Sequence, residues 1–252
     1  MLPTLLSLAR ATGLAALLAV TLQAQGRGGA APQAPLTPQA LAPAALTGNW
    51  VAVISEDWRW RMVTPAKGDY ASIPLTPEGL KTADTWDPAK DEAAGEQCRS
   101  YGAPGLMRSP TRLRVSWLDA NTLKVESDYG MQTRLLHFGS WTAPTGAPTW
   151  QGDTVAQWMG RGRGAQSGST LKSVTTHLRP GYLRKNGVPY SARTVFTEYW
   201  DVVTEANGDE YLVVTDIVND PVNLQDRWTT AMHFKKERDA SRWDPTPCSA
   251  RW

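Results

Sequence analysis

Charged side chains that the pattern places among apolar neighbours are the first candidates for chemistry. Glu198 lies in Val195-Phe-Thr-Glu-Tyr-Trp-Asp-Val202, where a period of two sets it on one face with Phe196, Trp200 and Val202. A carboxylate on an apolar face needs a partner, and burial raises its pKa toward the range of a general acid or base. The other face of the segment carries Thr197, Tyr199 and Asp201 and is also half apolar, so the strand phase stays open. Asp216 poses the same question among Leu212, Val214 and Val218. Arg134, between Gln132 and Leu136, is a natural partner for either acid; Arg59 and Arg61 read equally as facing water or a polar lumen, and an inward guanidinium suits a carboxylate ligand through its planar fork of donors. A structural Glu198–Arg134 salt bridge is the plain reading. A catalytic Glu198 assisted by His177 is the sharper one.

The three histidines, His137, His177 and His233, show no HxH or HExxH spacing. A shared site would need distant strands to bring them into one lumen, and no metal is expected. The loop from Pro180 to Tyr190 clusters Tyr182, Arg184 and Lys185 beside Asn186-Gly187. It reads as an ordinary cationic surface turn or as a rim that binds an anionic or sugar-like group. The chain has 12 Trp, most of them expected in the core; Trp58 and Trp60 are candidates for a ligand platform. Nucleophile and nucleotide motifs are absent: Gly164-Ala-Gln-Ser167-Gly168 lacks the G-x-S-x-G spacing, and no P-loop or dinucleotide fingerprint occurs. No cofactor is expected.

These residues belong to a run of alternating segments. In 58–64 Trp58, Trp60 and Met62 oppose Arg59 and Arg61, and in 111–118 Leu113, Val115 and Trp117 oppose Arg112, Arg114 and Ser116. Asp119-Ala-Asn121 then turns the chain into 122–127, a hairpin. Segments 48–54, 131–138, 153–159, 170–178, 193–204, 210–218 and 228–236 complete about ten strands. Asn207-Gly208 marks another hairpin, with the positive φ of a type I′ turn expected at both residues. One short helix is predicted from Thr76, capped by Thr76 and opened by Pro77 and Glu78, ending before Asp87-Pro88. Residues 87–110 read as a long irregular connection, and 141–152 and 160–168 as further loops. Closure into a barrel removes unpaired edges, and the βαβ alternation of a nucleotide-binding sheet is missing.

Residues 1–24 read as a secretory signal: Arg10 precedes an apolar run of about a dozen residues, short of the ~20 that span a bilayer. Cleavage after Ala24 or Gly26 is expected, with an uncleaved anchor as the alternative. Residues 25–46, rich in Ala and Pro, read as a disordered linker before a domain over 47–252. The first 46 residues hold two Arg and no acid, which leaves 24 basic and 24 acidic side chains in the remainder. That balance argues against a nucleic-acid surface. Cys98 and Cys248 are the only cysteines, and in an exported chain a disulfide is the expected state. Two isolated Cys make a poor metal site.

Thr47-Gly-Asn-Trp50 resembles the G-x-W opening of lipocalin-type barrels, in which a Trp on the first strand plugs the closed end. The segments TPEGLKTADTWDPAKDEAAGEQCRSYGAPGLMRSP, NTLKVESDYGMQTRLLHF and GYLRKNGVPYS, with the closing DPVNL, HFKKE and WDPTPC, resemble a family of uncharacterised secreted bacterial β-rich proteins. The resemblance covers nearly all of 48–248. It implies export and a lipocalin-like barrel and assigns no catalytic residue. The expectation is therefore an all-β, antiparallel lipocalin-like β-barrel of about ten strands with one short helix, periplasmic or secreted. It would bind a small, partly apolar molecule through Trp58, Trp60, Arg134, His137, Tyr182, Arg184 and Asp216, with no membrane insertion after signal cleavage. The alternative is an acid/base lyase, isomerase or hydrolase on the same barrel.

Overall fold

The alternating segments pair into sheet because each has one face that can be covered. The structure is a computed structural model that describes residues 35–143, 145–160 and 170–251. In chain order the elements are α1 (Pro38–Leu41), β1 (Gly48–Val53), α2 (Trp58–Arg61), α3 (Pro77–Asp84), α4 (Pro88–Ala93), α5 (Ala103–Leu106), β2 (Arg112–Asp119), β3 (Thr122–Ser127), β4 (Thr133–Phe138), β5 (Asp153–Met159), β6 (Thr170–Thr176), β7 (Gly181–Tyr182), β8 (Pro189–Tyr190), β9 (Val195–Thr204), β10 (Glu210–Asn219) and β11 (Trp228–Glu237). Nine strands close a barrel in the order β1-β11-β10-β9-β6-β5-β4-β3-β2, and β7 and β8 form a small hairpin apart from it.

The barrel is thus one strand smaller than the ten expected, and its sheet is mixed. The connection 139–152 returns the chain to the end where β4 begins, so β5 runs parallel to β4; every other neighbour in the barrel is antiparallel. The expected strand over 58–64 is a single helical turn. Asp57 takes a left-handed conformation at φ 53°, and its carbonyl accepts from the amides of Trp60 and Arg61. Trp58 and Met62, one turn apart, both stay exposed.

The predicted helix is α3, with Thr76 Oγ1 accepting from Gly79 N at 2.9 Å. A Cβ on Gly79 would stand 2.4 Å from the Asn223 carbonyl oxygen, so glycine lets the helix lie on that backbone. Asp87-Pro88, read as a stop, caps the next helix instead: Asp87 Oδ1 accepts from Ala89 N at 3.0 Å. Residues 87–110 consequently hold α4, a 3₁₀ turn over Arg99–Tyr101 and α5 rather than an irregular loop. At the β9–β10 hairpin only Gly208 of the Asn207-Gly208 pair has a positive φ, in a loop closed by Glu205 N to Asp209 O at 2.8 Å, so the turn is not type I′. The glycine-rich 161–169 lies outside the described residues.

The described part of the expected linker is structured. Residues 38–46 form α1 and a 3₁₀ turn; Trp158 Nε1 donates to Pro38 O at 2.8 Å and Lys236 Nζ to Ala45 O at 2.7 Å. Leu46 is buried and accepts from Trp50 Nε1 through its carbonyl at 3.1 Å. Proline there does not prevent packing, because the segment needs only short helical turns.

Inside, the barrel is layered. One half is apolar: Trp50, Leu113, Leu136, Leu171, Trp200, Leu212, Met232 and Phe234 pack together with Leu46 over them. Burying a Trp ring removes about 150–250 Å² from water, worth about 4–6 kcal/mol at 25 cal/mol per Å² before entropy is counted. The other half meets a second apolar cluster, including Ala83, Leu183, Val188, Phe196, Val218 and Trp228, built from the β1–β2 connection and the segments around β7, β8 and 220–228. Between the two lies a polar layer. The Cys98–Cys248 disulfide is formed, and the tail is also held by Thr246 N to Asp128 O at 2.9 Å. Among the described residues no helix is long and apolar enough to cross a membrane.

Candidate functional site

The polar layer starts from strand register. Asp216 on β10 stands directly opposite Glu198 on β9 and Thr230 on β11, and Ser173 on β6 stands opposite Glu198 on the other side. The period of two that buries Phe196 and Trp200 therefore turns Glu198 inward, which settles the strand phase. Arg134 reaches it from β4 in a bidentate pair: Nη1 to Oε1 at 2.8 Å and Nη2 to Oε2 at 2.5 Å. Ser173 Oγ donates to Glu198 Oε2 at 2.9 Å, and Thr175 and Thr154 complete the network at 2.8 Å from each other. Both partners of the ion pair are essentially inaccessible to solvent.

Asp216 is different. It is 1% exposed, and neither carboxyl oxygen has a hydrogen-bond partner among the described residues. Burial pushes its carboxyl well above the ordinary carboxylate range and Glu198 adds to the shift, against the pull of Arg134, Arg108 and Arg61. Its carboxyl is thus harder to ionise in the folded protein than in the unfolded chain, where it ionises near 3.8. Its contribution favours the fold below that unfolded pKa and is lost as pH rises. Asp216→Asn, a neutral isostere, should raise stability at pH 7, read as a higher Tm. The gain should disappear toward pH 4. Calorimetric melts at both pH values check this, and a loss of stability at pH 7 would mean that the carboxylate is ionised and partnered.

Beside this layer, on the side of α2, lies a small cavity bounded by Trp60, Arg61, Arg108, Leu183, Arg184 and Lys185, with about 10 Å³ of room. Three of these are buried arginines. Arg61 Nε donates to Arg108 O at 2.9 Å and Nη1 to Glu56 Oε1 at 2.8 Å. Arg108 donates to Thr230 Oγ1 at 2.9 Å and to Asp57 Oδ2 at 3.0 Å. Arg184 sits at the tip of the β7–β8 hairpin, which is tucked inside rather than displayed as a surface turn. Asn186 Nδ2 ties that tip to Ala66 O and Asp69 O, each at 3.0 Å. The Arg184 guanidinium is 4.7 Å from the Trp60 ring centroid. Burial pulls it down to about 10, and Arg108 adds to the shift.

The other sequence candidates lie apart from one another. His177, at φ 56°, pairs with Asp153 Oδ2 at 2.8 Å and shares no hydrogen bond with Glu198. His137 stacks on Trp141 with ring centroids 4.1 Å apart, and burial lowers its pKa. His233 faces Glu56 Oε2 at 3.3 Å. Tyr182 donates to Asp91 Oδ2 at 2.9 Å and accepts from Arg99 at 3.0 Å, away from the arginine cavity. Trp58 points to solvent, since α2 is helical. Among the described residues no group of three or more His, Cys, Asp or Glu is placed to hold a metal. Arg108 escaped the sequence reading; its signal was a lone charge within the small and apolar stretch Ala103-Pro-Gly-Leu-Met-Arg-Ser-Pro110.

Comparison with protein-family models, with curated proteins and with solved structures finds no match. The fold and site define a closed nine-strand β-barrel with a charged layer beneath a covered end.

Proposed function

We propose that this protein is exported, in keeping with its lipocalin-like and secretory resemblances, and binds a small molecule beneath the covered end of its barrel. The observation that carries this reading is Arg184. The residue is 3% exposed, and none of its three guanidinium nitrogens has a hydrogen-bond partner among the described residues. A buried charge held this way costs several kcal/mol unless something completes it. The barrel centre is filled by side chains, so the ligand belongs at the Trp60–Arg184 cavity. The signal-type N-terminus and the disulfide both suit an oxidising compartment.

The test is a thermal-shift screen of the protein against carboxylates, phosphates, sugars, amines and neutral apolar compounds. One class should raise Tm saturably, with about 2.7 kcal/mol of stabilisation at a hundredfold excess over Kd. Silence from every class would refute the reading. A second reading, an acid/base enzyme, draws on Asp216, whose pKa burial raises, facing the ion-paired Glu198. It ranks lower because both carboxyls are sealed from solvent.

A further inference from the structure

The chemistry of the cavity narrows its ligand. Four cationic side chains border it, Arg61, Arg108, Arg184 and Lys185. Glu56 takes one N–H of Arg61, Asp57 takes one of Arg108, and Asp216 lies within electrostatic reach of both arginines. Asp69 is occupied with Arg59 at 2.6 Å. Of the three buried arginines, Arg184 is the one with no hydrogen-bonded carboxylate among the described residues. Arg61 Nη2 is a further buried donor with no partner among the described residues. Several unpartnered guanidinium N–H groups thus border one cavity, which is an anion-binding arrangement.

Shape favours one kind of anion. A guanidinium laid over an indole presents its edge in the plane of its fork, which matches a planar carboxylate with two parallel N–H to O bonds. The room available, about 10 Å³, is close to that of a single water. A tetrahedral phosphate or sulfate needs far more space than a flat three-atom group. Even a carboxylate needs more than is there, so the cover must shift. That cover is α2, a single turn that itself carries Trp60 and Arg61 and is joined to Arg108 below through Asp57, with Trp58 62% exposed on its outer side. Its Asp57 hinge is already in a left-handed conformation.

We propose that the pocket at Arg108 and Arg184 is a carboxylate site, entered when α2 shifts outward with its own Trp60 and Arg61, in which Arg184 grips the carboxylate. This rests on the binding reading above and adds the ligand class. The rest of such a ligand would leave past Trp60, which is only half-buried.

The experiment titrates the full chain with formate, acetate and butyrate, and separately with chloride, phosphate and sulfate, at constant ionic strength. Tm and Trp fluorescence are followed for wild type, Arg184→Gln and Arg184→Lys. At least one carboxylate should saturate the wild type with a fluorescence change. Arg184→Gln should weaken that binding tenfold or more, and Arg184→Lys should bind weakly because it lacks the fork. Trp60→Phe should reduce the fluorescence response. Three results overturn the proposal: equal effects in wild type and Arg184→Gln, tighter binding of phosphate or sulfate than of any carboxylate, or no saturable response to any anion. If a neutral compound from the broader screen binds while all the carboxylates fail, the carboxylate assignment falls and the binding function stands. If nothing binds in either experiment, both fall.

Discussion

Glu198→Gln should lower the free energy of unfolding by about 3–5 kcal/mol, the range for breaking one side of a buried ion pair. The substitution keeps the shape of the side chain and removes its charge. Arg134 would then remain buried on β4, facing an amide that accepts through one oxygen where the carboxylate accepts through two. Thr175, at 3.5 Å from Arg134 Nη2, is too distant to compensate. Replacing both partners with apolar residues, Arg134→Met with Glu198→Leu, should recover most of the loss. The desolvation of two charges disappears together with their attraction, and the neighbouring layers are already apolar. Urea denaturation of the two variants and the wild type makes the comparison. A loss below about 1 kcal/mol for Glu198→Gln would show that water reaches Arg134 and that the layer is not sealed.

Cys248→Ser should cost a comparable amount by a different route. The Cys98–Cys248 bridge joins positions 150 residues apart. Loop-closure entropy gives about 5 kcal/mol for a loop of that size, and real bridges often deliver less. The penalty should sit largely in the unfolded state, so the variant barrel should keep its near-UV spectrum in the cold while melting earlier. Locally, the tail should loosen. Ser249 N to Tyr101 Oη at 3.2 Å and Gly130 N to Thr246 O at 2.9 Å are the bonds most exposed to the loss. Hydrogen exchange at these two amides should accelerate before exchange in the barrel strands. Unchanged exchange at Gly130 and Ser249 would mean that the tail is held without the bridge.

The strands were legible because alternation is a local property. Leu113, Val115 and Trp117 announce a covered face whatever lies across from it. Residues 58–62 carry the same alternation and yet form one helical turn, because five residues after the reversal at Asp57 have no neighbouring strand to pair with. Tertiary placement overrode the pattern there. The Glu198–Arg134 pair was legible as a possibility, since both residues stand awkwardly among apolar neighbours. Which face of β9 is buried was not legible, because both faces read half apolar. The arginine cavity was the least visible part. Arg61, Arg108 and Arg184 come from three segments separated by 47 and 76 positions in the chain, and no local spacing encodes their meeting. The parallel seam between β4 and β5 was equally hidden, since strand direction depends on where the 139–152 connection runs.

The neighbours of β1 also bear on the order of events during folding. This strand pairs with β2 on one side and with β11 on the other, where Asn49 faces Glu237 and Val53 faces His233. Its second partner is therefore the last barrel strand to be synthesised, some 180 residues later. Until β11 arrives, β1 and β10 both present an unsatisfied row of amides and carbonyls, the kind of edge that recruits other chains. Such long-range pairing is slow to form. The nascent chain thus spends nearly its whole synthesis as an open sheet with two adhesive margins. Any premature stop upstream of Trp228 would leave that state permanent, so the hazard of a truncated product here is self-association more than simple loss of activity.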